Sequence, residues 1–515
     1  MVLMVFFSLL LSNSVSAIVL GPLENLLGKI RHTASKIFQS VTTMAAAKHN
    51  QEEDEEDSDS EEAGDAAHTF RAETALLTKV VRKLSALNEV CDHKKHDVGT
   101  ERGMDERDRW VLASLEADHR EGWNRYGSMD AVGDEERDLL NDTLRAQTSM
   151  AESAGLSLDL LNSWNLNPLE LDRARNLAAA TYFLGPHNHG LRAGASETAR
   201  FLEEAERGYV KSNPYHNWFH AIDIAHCVYR LLLLCGADTY LTGVERFAIL
   251  LSAICHDIGH PGVNNMYLIE SSHDLALCYN DRAPLENMHA AKLFEILNNS
   301  KCDVLGQLTT TQFWEARRVA IDAILHTDAA KHFHIIKEVQ MCYEMNSDVF
   351  ERSADSYYTD EASFPTAQAV DVFRLPESRR FLSNLMLHIA DMSNSMKPFR
   401  ICRIWAWQIL EEFFAQGDNE RNVGLPVQMM NDRTKMNRAF SQVAVIEFLT
   451  APLAFGAAKV LPPLGPHAAA VLQNARQWQQ TWLRDAAPAP SESEREAMGE
   501  RIRKLQNRYK DQVNM

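Results

Sequence analysis

Apolar residues recur at helical spacing through most of the C-terminal two-thirds of the chain, and polar breaks between them are short. Examples are ERFAILLSAICHD (245–257), RRVAIDAILHTD (317–328), RRFLSNLMLHIADMSNS (379–395) and RIWAWQILEEFF (403–414). Alternating strand patterns are scarce. The pattern predicts an all-α, compact multi-helix domain over residues 155–485. The segment DAAPAPSE (485–492) breaks it, and 486–515 is a charged tail, with a helix over 494–511 predicted to lie in solvent. Upstream, FRAETALLTKVVRKLSALNEVC (70–91) places Leu76, Val80, Leu84, Leu87 and Cys91 close to heptad spacing. That stretch reads as a short coiled coil, which would make a homodimer, or as one amphipathic helix docked on the main domain. It belongs to a helical N-terminal extension over 70–150. Residues 21–69 read as a partly disordered linker.

Charge sharpens this division. The chain of 515 residues has a net charge of −19, and ten acids fall within QEEDEEDSDSEEAGD (51–65). That run marks a disordered acidic segment. The rest of the chain is also acidic, so a nucleic acid is not an expected partner. A small phosphate ester can still bind where metal ions supply the positive charge. The eight cysteines form no CxxC, and several lie in apolar helical text, which argues for reduced thiols and a cytosolic domain. The first twenty residues carry no charge. They read as a signal peptide without its basic start, as a membrane segment, or as the cut end of a longer membrane domain, so membrane association through residues 1–20 stands as an expectation.

Candidate chemistry lies inside the helical domain. His216 and His220 are four apart in YHNWFHAIDIAH (215–226), which on a helix puts both on one face. His256 and Asp257 close an apolar helix, with His260 following, and Asp391 closes another. Ionisable groups in such text are rarely buried unless paired or metal-bound. His220, His256, Asp257 and Asp391 form a mixed nitrogen and oxygen set that suits zinc, or magnesium and manganese where a second site is mostly water. Asp257 can bridge two ions about 3.5–4 Å apart, a pair that activates water and neutralises a phosphodiester. His216 is then available as an acid.

These residues resemble the class I 3′,5′-cyclic-nucleotide phosphodiesterases. The family pattern YHNxxHAxD is matched from Tyr215 to Asp223, and HDxxHPG from His256 to Gly262. YNDRAPLENMH (279–289), HTDAAKH (326–332), DMSNSMKP (391–398), EEFFAQGD (411–418) and SQV (441–443) follow in the family's order, so the resemblance spans about residues 155–485. It implies hydrolysis of cAMP, cGMP or both to 5′-nucleoside monophosphates in signal transduction. It implies zinc on the residues matching His220, His256, Asp257 and Asp391, and magnesium or manganese on Asp257 with waters organised by His260, Glu286 and Thr327. It makes His216 the general acid. Gln442 would read the purine edge, Asn394 the base or ribose side, and Ile409 and Phe413 would line the slot, with Tyr215 in the same pocket. Trp405 is expected in the core nearby. Three positions depart from the family. Gly259 stands where Asp or Glu is frequent, Met288 replaces a histidine, and Val445 replaces the aromatic that stacks on the base. The competing expectations are another metal-dependent nucleotide phosphohydrolase of the broader HD type and a non-catalytic nucleotide sensor.

Overall fold

The computed structural model describes residues 148–185, 194–359 and 364–513. The readings of residues 1–20, 21–69 and 70–91 therefore lie outside the described residues. Helices dominate, and no strand occurs among the described residues. In chain order they include α1 (Arg173–Leu184), α2 (Ala195–Gly208), α3 (Trp218–Leu234), α4 (Gly243–Cys255), α5 (Pro284–Leu297), α6 (Thr310–Leu325) and α7 (His332–Met345). These are followed by α8 (Pro376–Asp391), α9 (Phe399–Val423), α10 (Arg438–Val445), α11 (Ala451–Val460), α12 (Gly465–Asp485) and α13 (Glu492–Val513). Shorter or peripheral helices such as Asn265–Glu270 and Ser347–Thr359 fill the connections.

Start signals explain where the central helices begin. Thr242 and Glu245 form a capping box on α4, and Thr309 and Gln312 do the same on α6. Pro376 occupies the first turn of α8 and Pro284 that of α5. Gly424, at φ 79°, ends α9 in the left-handed conformation that glycine adopts without penalty. Between its caps, α4 is buried along almost its whole length, which fits its unbroken apolar text. It packs between α3 and α6, with α8 alongside. The C-terminal ends of α4 and α8 and the N-terminal end of α3 thereby meet inside the domain.

Two features of this core are polar. Lys397 and Asp223 form a fully buried ion pair at 2.5 Å behind α3. Asn474 on α12 donates to the carbonyls of Ser395 and Lys397, at 2.8 Å each, which ties the turn after α8 to the C-terminal half. The seven described cysteines are all unpaired.

Two expectations, and one long apolar run, meet the structure here. The charged tail helix does not lie free in solvent: α13 packs on α11 and α12. Met498, Ile502 and Leu505 are buried in that contact, and Tyr509 stands 5.4 Å from the Phe455 ring. The stripe is narrow, and the charged positions around it mask it. His216 and His220 do not share a helical face either, because α3 begins only after Asn217. Finally, the run Arg438–Val460 is long and apolar enough to cross a membrane, yet more than half of its apolar window is buried inside the domain. Most of its apolar side chains face the protein core, while Phe440 and Phe448 are exposed.

Candidate metal and acid–base site

Asn217 caps α3 through its side chain, accepting from the N–H of Phe219 at 3.0 Å and of His220 at 3.3 Å. This cap turns His220 into the interior, where it is fully buried. At the far end of α4 the chain leaves the helix at His256, and Gly259 (φ 81°) and Gly262 (φ 79°) supply the left-handed turns that bring His260 back towards His216. The end of α8 adds Asp391.

His220, His256, Asp257 and Asp391 each present one ligand atom within 4.8 Å of the others. The tautomer of His256 follows from its partner: Nδ1 lies 3.0 Å from the Ala253 carbonyl, which can only accept. Its Nε2 is therefore the nitrogen left to face the centre, 3.0 Å from Asp257 Oδ2 and 3.2 Å from His220 Nε2. Against the effect of burial, the two neighbouring carboxylates push the His256 pKa well above the ordinary imidazole range. Asp391 Oδ1 lies 3.4 Å from His220 Nε2 and 3.7 Å from His256 Nε2. Acceptors converging on one another in a buried place require a cation or protons. Burial would raise both carboxyls, but His256, His216 and His220 hold Asp257, and His220 and His256 hold Asp391, well below the usual carboxylate range. The donor set fits a divalent metal. His289 approaches from α5, with its Nδ1 2.8 Å from the Ile258 carbonyl and its Nε2 3.7 Å from Asp257 Oδ1.

A second group, His216, His260 and Glu412, adjoins the first. Glu412 on α9 is buried, and its Oε2 accepts from the N–H groups of Tyr215 (2.9 Å) and His216 (3.0 Å) while Oε1 binds His216 Nδ1. One carboxylate thus fixes both the backbone and the ring of His216, whose Nε2 points to Asp257 Oδ2 at 4.0 Å. Burial works against a charged imidazole, but Glu412 and then Asp257 outweigh it and raise the His216 pKa to about 9. Burial likewise opposes charge on Glu412, yet His216 brings it down to about 2. His260 stacks on His216 with ring centroids 4.0 Å apart. Burial, reinforced by the charge on His216, keeps it neutral. Asn213 joins the two loops by donating to the carbonyls of His260 (2.7 Å) and His216 (3.1 Å).

Around this centre, Glu286 is buried and accepts from Asn265 at 2.9 Å, and burial lifts its pKa to about 7. The half-buried Thr327 donates its hydroxyl to Ile324 O at 2.7 Å. Tyr215 packs 4.5 Å from the His220 ring, and its hydroxyl accepts from Asn394 Nδ2 at 2.7 Å. Asn394 Oδ1 is buried without a hydrogen-bond partner, an acceptor left on offer. Trp405 is fully buried 6.0 Å from His220. Gln442 is buried on α10, with Val445 one turn on and half-buried. Ile409 and Phe413 are half-buried one turn apart on α9. Two departures from the family pattern meet in space. A β-carbon at Gly259 would come within 2.6 Å of Lys292 Cε and 3.2 Å of Met288 Sδ.

Glu412 is the residue that sequence reasoning missed. Its signal was an acid seven residues after Trp405, in register with the buried stripe of the helix.

Comparison with known proteins adds the family. Residues 215–471 match the model of the 3′,5′-cyclic nucleotide phosphodiesterases. The chain carries a domain of this family. The match takes in the candidate metal ligands, His216 and Glu412. The phosphodiesterase domain is similar to the 3′,5′-cyclic-nucleotide phosphodiesterase regA of Dictyostelium discoideum, at 32% identity over 61% of this chain and 36% of that protein. It is also similar to the mouse 3′,5′-cyclic-AMP phosphodiesterase 4C, at 30% identity over 68% of this chain and 49% of that protein. The chain thus spans less than half the length of these two relatives. A crystal structure of the phosphodiesterase domain of the RhoPDE fusion protein from the choanoflagellate Salpingoeca rosetta superposes with a TM-score of 0.56 at 27% identity, covering 64% of this chain and 97% of that one. Separately, residues 1–91 match the model of the all-helical domain of RasGEFs.

Proposed function

We propose that the chain hydrolyses 3′,5′-cyclic nucleotides to 5′-nucleoside monophosphates. The observation that carries this reading is the convergence of two imidazole nitrogens and two carboxylates beside His216, whose ring is fixed by Glu412. His220, His256, Asp257 and Asp391 would hold zinc, and Asp257 with ordered water would hold magnesium or manganese. Divalent ions at such a site neutralise the phosphodiester and lower the pKa of water. The chain's own residues do the rest. His260, Glu286 and Thr327 position water. Glu412 keeps the His216 imidazole charged and aimed, and His216 donates its proton to the departing O3′ as water attacks phosphorus. Asn394 and Gln442 supply the polar contacts to the nucleoside, and Tyr215, Ile409, Phe413 and Val445 supply the apolar ones.

Several relatives are named for cyclic AMP, so cAMP and cGMP should be compared directly. With zinc and magnesium supplied, the wild-type chain should turn over at least one of them. Asp391→Ala should lower the rate by roughly a thousandfold or more, because a metal ligand supports several kcal/mol of transition-state stabilisation. Full activity in Asp391→Ala would reject the scheme. Tight nucleotide binding without turnover would favour a sensor instead. The proposed setting is a cytosolic catalytic domain. Vesicle flotation with and without residues 1–20 tests membrane association, and light scattering with and without residues 70–91 tests a homodimer.

A further inference from the structure

The two ends of α10, the helix that carries Gln442, are held by different partners. At its start, Arg438 pairs with Glu411 on α9, next to Glu412, and its guanidinium lies 4.9 Å from the Phe414 ring. At its end, α10 runs into a single π-helical turn, Ile446–Thr450. Such turns are rare and concentrate at functional sites. This one packs against the Ser393–Met396 turn that bears Asn394. Glu447, within the π turn, accepts from Arg501 Nε at 2.6 Å. Arg501 belongs to α13, the last helix, and its guanidinium also lies 5.1 Å from the Phe440 ring and 5.9 Å from the Phe448 ring. A single arginine thus reaches both sides of the segment that presents Gln442 and Val445.

We propose that Arg501 is a positioning residue for recognition of the nucleotide base. Through Glu447 it fixes the π turn, and through that turn it sets where Gln442 and Asn394 stand relative to one another. This rests on the reading that the chain binds and hydrolyses cyclic nucleotides. The phosphate-side groups lie on and beside α3, α4, α8 and α9, whereas the contacts of Arg501 are to Glu447, Phe440 and Phe448. Its loss should therefore act on affinity and leave the chemical step alone. The two side chains of the pair are each 22% exposed, so solvent screens it in part and its loss should cost the fold only modestly.

The test measures kcat and KM for cAMP and cGMP, affinity for AMP and GMP by titration calorimetry, and the thermal midpoint. The chains compared are wild type, Arg501→Ala, Arg501→Lys and the double exchange Glu447→Arg with Arg501→Glu. The expected result is a KM raised roughly three- to tenfold in Arg501→Ala, with kcat within about twofold, as removal of a pure binding contribution requires. Nucleotide monophosphate affinity should fall in parallel, and Arg501→Lys or the double exchange should recover part of it. An unchanged KM and affinity would overturn the proposal, as would a loss confined to kcat or accompanied by a lowered thermal midpoint. Wild-type chain that binds AMP or GMP without turning over either cyclic nucleotide would sink the hydrolytic reading alone, and the affinity of Arg501→Ala would still decide the role of Arg501. A wild-type chain that binds neither monophosphate would overturn both.

Discussion

The two halves of the proposed site, a phosphate side around His216 and a base side around Gln442, are built to different standards. On the phosphate side, the groups around His216 are densely paired: Glu412 makes three contacts to Tyr215 and His216, Asn213 ties two loops, and Asp223 of α3 forms a buried pair with Lys397, while His220 Nδ1 and Asp223 Oδ1 stand without a hydrogen-bond partner. On the base side, Asn394 Oδ1 is unpartnered, Ile409, Phe413 and Val445 are half-buried, and the supporting segment is anchored from outside by Arg501. Phosphate chemistry demands groups fixed to within a fraction of an ångström before the substrate arrives. Base recognition tolerates looser walls, because stacking and amide contacts adapt. The contrast predicts that damage on the phosphate side appears in stability and kcat, and damage on the base side in KM.

The largest expected departure is in folding. Lys397→Met leaves Asp223 charged and buried, and should cost about 3–5 kcal/mol in denaturant unfolding. A loss below 1 kcal/mol would mean that the phosphate side is not stiffened from behind. Next comes Glu412→Gln, which removes the charge that orients and ionises His216 and should lower kcat about 10- to 100-fold. The pH profile gives its sign. In the proposed acid role His216 must be protonated, so activity should be retained up to its raised pKa of about 9 and fall as pH rises through it. Without the carboxylate, that falling limb should move to lower pH. A limb that stays in place would separate Glu412 from His216 electrostatically. The smallest effect belongs to the base side. Val445→Phe restores an aromatic wall worth about 0.5–1.5 kcal/mol, so KM should fall about two- to twelvefold with kcat unchanged. A change in kcat would show that the two halves are coupled.

The centre of the site was legible because burial made its residues conspicuous. His256, Asp257 and Asp391 are ionisable groups closing apolar helices, and apolar text cannot accommodate them without a partner. Glu412 was hidden by its neighbour. Glu411 is paired with arginines at the surface, so the EE pair reads as an ordinary polar patch, although one of the two points inward. The helical-face reading of His216 and His220 failed on a single residue, Asn217, whose side chain caps α3 and so excludes His216 from it. Docking of α13 was illegible for a related reason. Three buried positions, Met498, Ile502 and Leu505, carry the contact, and the charges around them dominate any average over the segment.

The crowding at Gly259 has a practical consequence for anyone transplanting family residues into this chain. An acidic side chain there would have to displace the flexible ends of Lys292 and Met288, and the left-handed backbone turn would strain any β-carbon. Positions 259, 288 and 292 therefore behave as one mutational unit, to be exchanged together or left alone.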